Sequence, residues 1–290
     1  MNLKKCLLAS IRTAVKAGQG ILEVYHSADF KIEEKADQSP LTLADKRSHD
    51  TIIQDLAQFN VPILSEEGQS IPFAIRKNWE VYWLIDPLDG TKEFIKKNGE
   101  FTVNIALMRN RKPIAGVVYL PDKDRLYFAA EEIGSHRVNV CETGLLKRHS
   151  GANSRMIEMA DSDANQKLQD LIALSAQLPI AQPADRPFTI VGSRSHATPE
   201  LEVFVEEKRR EYGAVEFISA GSSLKLCLVA EGRADIYPRT GPTMEWDTAA
   251  GQAVVEFSGA KLFKYNTKEP LDYNKENLLN PWFVVVRRDG

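Results

Sequence analysis

The sequence predicts a mixed fold, with a layered α+β unit in the N-terminal half and an α/β unit in the C-terminal half. Apolar residues recur at helical spacing through residues 3–25, and a second helix is predicted at 43–59. Short apolar runs then predict antiparallel strands, the clearest of them a buried strand at 81–85. Beyond residue 187, strand patterns alternate with helix patterns, which is typical of an α/β unit.

The other elements follow in order along the chain. In the N-terminal unit we expect further strands at 61–64, 101–108, 114–119 and 126–130. In the C-terminal unit we expect strands at 188–191, 215–218, 234–237, 260–263 and 282–286, and helices at 198–210, 222–231 and 247–258. The predicted organisation is therefore a unit of residues 1–140, a polar connector of residues 141–187 with a helix at 168–178, and a second unit of residues 188–290.

Composition excludes several classes of protein. The chain has 290 residues, 43% of them hydrophobic and 27% charged, as in ordinary globular proteins. Its net charge of -3 and pI of about 6.0 lack the basic excess that nucleic-acid binders carry. No apolar run approaches the roughly 20 residues that a membrane span requires. We therefore expect neither a nucleic-acid partner nor an integral membrane segment.

The number and spacing of the cysteines indicate the redox state of the cellular compartment. Three are present, Cys6, Cys141 and Cys227, without the CxxC spacing of metal or redox motifs. A small, odd number of cysteines is a poor disulfide framework and indicates a reducing compartment. We expect a cytoplasmic protein, with peripheral attachment to the cytoplasmic side of the inner membrane left open, as is the oligomeric state.

Carboxylates stand at strand ends and at one helix start, where loops could bring them together. Glu66 and Glu67 follow the strand at 61–64, Asp86 and Asp89 come at the end of the strand at 81–85, and Asp247 opens a late helix. Carboxylate oxygens are the ligands that Mg²⁺ prefers, and Mg²⁺ usually keeps water and substrate phosphate in its coordination shell. Two such ions, roughly 3.5–4 Å apart, can bind the attacking and the leaving oxygen of a phosphoester displacement. The pattern therefore predicts a Mg²⁺-dependent phosphatase.

Each motif also has a purely structural interpretation. The segment from Asp86 to Gly90 is a good turn, because Pro87 fixes φ and glycine adopts unusual backbone angles. Thr42 and Asp45 fit a capping box at the start of the second helix. Glu66 and Glu67 alone fit a solvated acidic turn. The position of the first segment, after an apolar strand and before Thr91, favours the functional interpretation, since Gly90 and Thr91 would offer N–H groups to a phosphate.

Three segments together resemble the inositol monophosphatase-like, lithium-sensitive phosphatase superfamily. They are Ser65-Glu66-Glu67-Gly68, Trp83-Leu84-Ile85-Asp86-Pro87-Leu88-Asp89-Gly90-Thr91 and Trp246-Asp247-Thr248-Ala249-Ala250-Gly251. The resemblance implies a layered αβαβα sandwich of the inositol monophosphatase and fructose-1,6-bisphosphatase type. It also implies two Mg²⁺ ions, with a third near Glu66 or Glu67 left open. The ligands that it implies are Glu66, Asp86, the Leu88 carbonyl, Asp89 and Asp247.

The resemblance also implies how water is activated. Thr91 and Asp45 would form the dyad that orients a metal-activated water for in-line attack on phosphorus. The same loops would contact the substrate through Glu66, Leu88, Asp89, Gly90, Thr91 and Asp247.

Further residues resemble the 3′(2′),5′-bisphosphate nucleotidases of the CysQ type within that superfamily. Lys92 and Glu93 precede Phe94, where inositol phosphatases typically place Asn. The segments Gly192-Ser193-Arg194-Ser195-His196, Gly221-Ser222-Ser223-Leu224-Lys225 and Tyr237-Pro238-Arg239-Thr240-Gly241-Pro242-Thr243-Met244-Glu245-Trp246-Asp247 complete the match. This resemblance implies nucleotide contacts from His196, Ser222, Lys225 and Arg239.

The expected reaction is hydrolysis of adenosine 3′,5′-bisphosphate to AMP and phosphate. Lys225 would supply a point charge, and Arg239 would contact the 5′-phosphate or stack near the base. An inositol monophosphatase or sugar bisphosphatase on the same fold is the alternative, because the acidic segments are common to the superfamily. A catalytically silent nucleotide- or metal-binding module is a more remote one. Acceptance of the sulfated analogue and the strength of lithium inhibition stay open.

Overall fold

The computed structural model describes residues 1–27, 33–34, 40–147, 155–156, 164–183, 185–193 and 198–287. Its α-helices are α1 (Leu3–Tyr25), α2 (Leu43–Leu56), α3 (Phe73–Arg76), α4 (Thr91–Ile95), α5 (Ala164–Leu174), α6 (Pro199–Tyr212), α7 (Leu224–Ala230) and α8 (Glu245–Phe257). Short 3₁₀ helices lie at Ala57–Phe59 and Val140–Glu142.

Among the described residues, the strands form two large sheets and two short antiparallel pairs. They are β1 (Glu33–Glu34), β2 (Pro40–Leu41), β3 (Ile63–Ser65), β4 (Val81–Asp89), β5 (Thr102–Arg109), β6 (Lys112–Leu120), β7 (Arg125–Ala130), β8 (Gly134–Asn139), β9 (Leu146–Lys147), β10 (Arg155–Met156), β11 (Ala176–Gln177), β12 (Phe188–Ser193), β13 (Val215–Ala220), β14 (Ile236–Arg239), β15 (Lys261–Lys264) and β16 (Phe283–Val286). The short pairs are β1 with β2 and β9 with β10.

The first large sheet has seven strands in the order β11-β8-β7-β6-β5-β4-β3. All neighbours are antiparallel except β3 and β4, which run parallel, so their carboxyl ends meet at one edge. Side chains alternate between the two faces of a strand. In β4, Trp83 and Ile85 pack against α1 and α2, whereas Tyr82 and Leu84 pack toward α7 and α8. Burial of both faces explains why the central strands are almost continuously apolar.

Helix α8 lies between the two sheets and packs closely on the first. A Cβ added at Gly116 of β6 would collide with the carbonyl oxygen of Ala250 in α8. The absence of a side chain at Gly116 therefore permits this helix to approach the sheet.

The second sheet has five strands in the order β13-β12-β14-β16-β15, parallel across β13, β12 and β14 and antiparallel beyond. Helices α7 and α8 cover its inner face, and α6 covers its outer face through Phe204. With α1 and α2 on the outside of the first sheet, the layers are α, β, α, β and α. The predicted layered αβαβα sandwich is confirmed.

Some elements differ from the prediction. Strand β8 was not predicted, because its sequence Gly-Ser-His-Arg-Val-Asn lacks an apolar alternation. Helix α7 begins at Leu224 rather than at Ser222, whose φ of 43° is left-handed. The helix expected at 168–178 spans Ala164–Leu174, and β11 then joins the edge of the first sheet by pairing with β8.

Helix α5, which lies in the expected connector, packs against the first unit. Leu168 and Leu171 of α5 belong to the apolar core that surrounds α1. The division at residues 140 and 187 stays a prediction. Among the described helices, none is both long and apolar enough to cross a bilayer.

Candidate metal and phosphate site

Three predicted carboxylates meet where the parallel strands β3 and β4 end. Glu66 follows β3, and its N–H donates to the carbonyl of Ile85 at 3.1 Å, which holds it beside Asp86. Asp247 approaches from the first turn of α8, where its Oδ2 accepts from the N–H of Met244 at 2.9 Å. One carboxylate oxygen from each of Glu66, Asp86 and Asp247 lies within 4.8 Å of the others.

Strand alternation explains the direction of Asp86. Tyr82 and Leu84 face α7 and α8, and Asp86 continues the same face. Asp86 is also paired directly with Asn104 of β5, whose side chain lies on that face as well. The strand therefore buries an acidic side chain between the two sheets, under the cleft described below.

Burial and the proximity of these carboxylates raise the pKa values of Asp86 and Asp247. Burial raises the pKa of Asp86 well above its usual range, and the charges of Glu66, Asp89 and Asp247 raise it further. Loss of hydration likewise raises the pKa of Asp247, and Asp89 and Glu66 add to that shift. A divalent cation would relieve the repulsion, and a donor set made only of oxygen suits Mg²⁺. The residues present therefore fit the predicted metal.

The last residues of β4 are fixed by hydrogen bonds that involve the side chains of Asp86 and Ser48. The N–H of Leu88 donates to Asp86 Oδ1 at 3.0 Å, and Ser48 Oγ of α2 donates to the Pro87 carbonyl at 2.6 Å. Gly90 follows with a φ of 89°, a conformation that favours glycine. Gly90 thus takes the unusual backbone angles that the turn interpretation expects, and the functional interpretation of this segment stays a prediction.

Thr91 and Asp45 meet as predicted. Thr91 Oγ1 donates to Asp45 Oδ1 at 3.2 Å and lies 3.4 Å from the Leu88 carbonyl oxygen. The other oxygen, Asp45 Oδ2, accepts from the N–H and the hydroxyl of Thr42 at 2.7 and 2.5 Å. The capping box at α2 is therefore also present, and a single buried carboxylate serves both arrangements.

Asp89 faces the same cleft but lies outside the three-carboxylate group. Its Oδ2 accepts from Ser223 Oγ at 2.8 Å and lies 3.4 Å from Thr102 Oγ1 and Asn104 Nδ2. No role was predicted for Ser223, Thr102 or Asn104. Polar residues at alternate positions of an otherwise apolar strand were the available signal for Thr102 and Asn104.

The cleft beside the acids has a volume of about 250 Å³. Glu66, Asp89 and Asp247 line its wall, as do Ser222, Lys225 and Arg239. The cleft wall thus contains carboxylates together with the buried cations Lys225 and Arg239.

Two of the cations that line the cleft, Lys225 and Arg239, are buried. Lys225 Nζ donates to the Ser222 carbonyl at 2.6 Å, and Arg239 donates through Nη2 to the Pro242 carbonyl at 2.7 Å. Burial lowers the pKa of Lys225 to about 8, although Asp89 acts in the opposite direction. The cleft is therefore suited to an anion, which would stabilise both charges.

Two further predicted residues are His196 and Glu67. His196 lies outside the described residues. Glu67 follows Glu66 in sequence but is neither part of the carboxylate group nor of the cleft wall found among the described residues.

Comparison with known proteins gives a consistent result. The model of the inositol monophosphatase family matches residues 2–282. The 3′(2′),5′-bisphosphate nucleotidase CysQ of Escherichia coli K12 is 42% identical over 276 residues, which are 94% of this chain and 96% of that protein. The CysQ protein of Salmonella typhimurium is 40% identical over 277 residues, with the same coverage of 94% and 96%.

Solved structures agree. CysQ from Bacteroides thetaiotaomicron, described as a bacterial member of the inositol monophosphatase family, matches with 46% identity and a TM-score of 0.84 over 99% of this chain and 100% of that chain. Inositol monophosphatase from Anabaena shares the fold, at 21% identity and a TM-score of 0.65 over 99% and 91% of the two chains.

Proposed function

The chain belongs to the inositol monophosphatase family, and on that basis we propose that it is a Mg²⁺-dependent 3′(2′),5′-bisphosphate nucleotidase that converts adenosine 3′,5′-bisphosphate to AMP and phosphate. The observation that carries the proposal is one cleft that holds the acidic group together with two buried cations, Lys225 and Arg239. An acidic metal site alone suits any phosphomonoester. The two cations favour a substrate with a second phosphate, which also agrees with the CysQ relatives.

The proposed cation ligands are Glu66, Asp86, Asp89, Asp247 and the Leu88 carbonyl. When bound there, Mg²⁺ would neutralise phosphate oxygens and make water more acidic. The protein supplies a rigid frame, because the N–H of Leu88 donates to the Asp86 side chain and the N–H of Glu66 donates to the Ile85 carbonyl. Lithium sensitivity, typical of the family, is part of the proposal.

Thr91 and Asp45 are proposed to orient the attacking water. The Thr91 hydroxyl donates its proton to Asp45 Oδ1, so its oxygen is left to accept a hydrogen bond from water. Asp45 is held in turn by two donors from Thr42, which keep its carboxylate in place. The dyad thereby aligns a lone pair of the water with phosphorus. It accepts a proton from that water as attack proceeds.

The substrate phosphates are proposed to lie between the acids and the cations. Ser222 Oγ is buried and has no hydrogen-bond partner among the described residues, which suits a phosphate acceptor. Lys225 would supply a point charge, and Arg239 a planar donor for the second phosphate. The lowered pKa of Lys225 supports this role, since a bound dianion would stabilise its charged form.

A substrate panel tests the proposal. Phosphate release is measured from adenosine 3′,5′-bisphosphate, inositol 1-phosphate and fructose 1,6-bisphosphate, each with Mg²⁺, with chelator, and with Mg²⁺ plus lithium. We expect the highest kcat/KM for the adenosine bisphosphate, loss of activity with chelator and inhibition by lithium. A preference for inositol 1-phosphate would replace the proposal by the inositol phosphatase alternative, and binding without turnover would favour the silent module.

A further inference from the structure

A serine hydroxyl links the end of β4, which carries Asp89, to the start of α8, which carries Asp247. Oγ of Ser223, just before α7, lies 2.8 Å from Asp89 Oδ2 and 2.7 Å from the carbonyl oxygen of Asp247. It also accepts a hydrogen bond from Asn104 Nδ2 at 2.9 Å. Four elements, β4, β5, α7 and α8, therefore converge on one oxygen atom.

Counting protons shows the direction of these bonds. A hydroxyl has one proton and two lone pairs. Because Asn104 donates to Ser223, the serine proton is directed to Asp89 Oδ2 or to the Asp247 carbonyl. The bond to a carboxylate is the stronger of the two, since charge-assisted hydrogen bonds are about twice as strong as neutral ones.

The described donors to Asp89 all converge on one oxygen. Ser223, Thr102 and Asn104 lie within 2.8 to 3.4 Å of Oδ2. This arrangement fixes the plane of the carboxylate and leaves Oδ1 for a ligand in the cleft.

Asn104 is not explained by fold stability. It is fully buried in the middle of the first sheet, and its Oδ1 has no hydrogen-bond partner among the described residues. A buried carbonyl without a partner destabilises a fold, so an apolar residue would suit a purely structural position better. What the asparagine provides is its amide N–H group, directed at Ser223.

We propose that Ser223, itself held by Asn104, is a positioning residue that fixes the Asp89 carboxylate against the start of α8 for cation binding. This inference rests on the metal dependence in the proposed function. Residues that orient metal ligands typically change metal affinity by 10- to 100-fold when they are removed. The inference therefore predicts a loss of Mg²⁺ affinity that does not depend on substrate.

The test is calorimetric titration of the full chain with Mg²⁺ alone, without substrate, for wild type and Ser223→Ala. Ser135→Ala is the matched control, because Ser135 is fully buried in β8 of the first sheet and its hydroxyl has no partner among the described residues. We expect the Mg²⁺ Kd to rise about 10-fold in Ser223→Ala and to stay unchanged in Ser135→Ala. Thermal unfolding in chelator establishes that both variants fold.

A purely structural serine would lower Tm in chelator without changing Mg²⁺ affinity, and an unchanged Kd in Ser223→Ala overturns the inference. The double variant Ser223→Ala with Asn104→Ala should lose little more affinity than Ser223→Ala alone, because Asn104 acts through the serine. Fully additive losses overturn the part assigned to Asn104.

Failure of the inference is distinguishable from failure of the proposed function. A wild-type chain that binds Mg²⁺ but does not hydrolyse adenosine 3′,5′-bisphosphate refutes the nucleotidase and leaves the positioning role in place. A wild-type nucleotidase whose Ser223→Ala variant keeps full Mg²⁺ affinity refutes the positioning role alone. A chain that binds no Mg²⁺ refutes both.

Discussion

Thr91 Oγ1 lies 3.2 Å from Asp45 Oδ1, while Oδ2 of the same carboxylate caps helix α2 through Thr42. The two oxygens thus serve different purposes, one in the proposed chemistry and one in the fold. A capping aspartate is well suited to orient a catalytic hydroxyl, because its second oxygen is already immobilised. The two purposes are separable by substitution.

Replacing Thr91 by valine removes the hydroxyl and keeps the shape of the side chain. We expect kcat for adenosine 3′,5′-bisphosphate to fall by about 10²–10⁴, the range typical of lost acid–base assistance. The Tm should change little, because Thr91 is not a helix-capping donor. Steady-state kinetics at saturating Mg²⁺ and thermal unfolding measure the two effects.

The matched variant is Thr42→Ala, which removes the cap and keeps Thr91. It should lower the free energy of unfolding by about 1 kcal/mol, as the loss of a helix cap does. Its kcat should fall far less than that of Thr91→Val. Equal losses of kcat in both variants would contradict the division of labour between the two oxygens.

The sequence was sufficient for the order of the layers and for most of the acidic group. Apolar residues at helical spacing predict α1. Continuous apolar runs predict the central strands, because both faces of those strands are buried. Asp86 and Glu66 could be placed together, since they end consecutive predicted strands. The layer order itself followed from the resemblance rather than from periodicity.

Other features depend on contacts between distant segments and were not predictable. Strand β8 has a polar sequence and is defined by its pairing with β7. Ser223 meets Asp89 across 134 positions in the chain, so no local pattern reveals that hydrogen bond. The left-handed conformation of Ser222 likewise shortens α7 against its local apolar pattern.

The buried acids predict an unusual dependence of stability on pH. Because the pKa of Asp86 is raised, the folded chain without metal retains a proton that the unfolded chain has already released. Stability in chelator should therefore fall as pH rises through the raised pKa. Thermal unfolding in chelator at pH 5 and pH 8 should give the lower Tm at pH 8, and added Mg²⁺ should restore it.

Asp86→Asn separates this effect from catalysis. The amide oxygen can still accept from the Leu88 N–H, so we expect a Tm in chelator at pH 8 at or above that of wild type. Turnover should be abolished, and Mg²⁺ should no longer raise Tm as it does in wild type. Asp50→Asn, which alters an exposed carboxylate on α2, is the control. Full activity of Asp86→Asn at saturating Mg²⁺ would refute the metal scheme.

Two glycines test the packing of α8 on the first sheet. A Cβ at Gly116 would collide with the Ala250 carbonyl, whereas a Cβ at Gly20 of α1 meets nothing within 4 Å. Gly116→Ala should destabilise the chain by about 1–3 kcal/mol, the usual effect of overpacking. Gly20→Ala should stabilise it by about 0.5–1 kcal/mol through helix propensity. Urea unfolding measures both, and a neutral Gly116→Ala would contradict the close approach.

Lys225 predicts how substrate recognition depends on pH. Its pKa is lowered to about 8 by burial, so in the free protein the ammonium loses its charge as pH rises through that value. The kcat/KM for adenosine 3′,5′-bisphosphate should therefore decline above about pH 8. In Lys225→Met that decline should disappear, because no proton remains to be lost there, and kcat/KM should be low at all pH values. Lys77→Met, which removes an exposed lysine after α3, should keep the wild-type pH profile.

Comparing KM for adenosine 3′,5′-bisphosphate and for adenosine 3′-monophosphate shows which phosphate Lys225 contacts. If Lys225 recognises the second phosphate, Lys225→Met raises KM for the bisphosphate at least 10-fold more than for the monophosphate. Equal increases in KM for the two substrates would assign Lys225 to the reacting phosphate. Arg239 would then recognise the second phosphate.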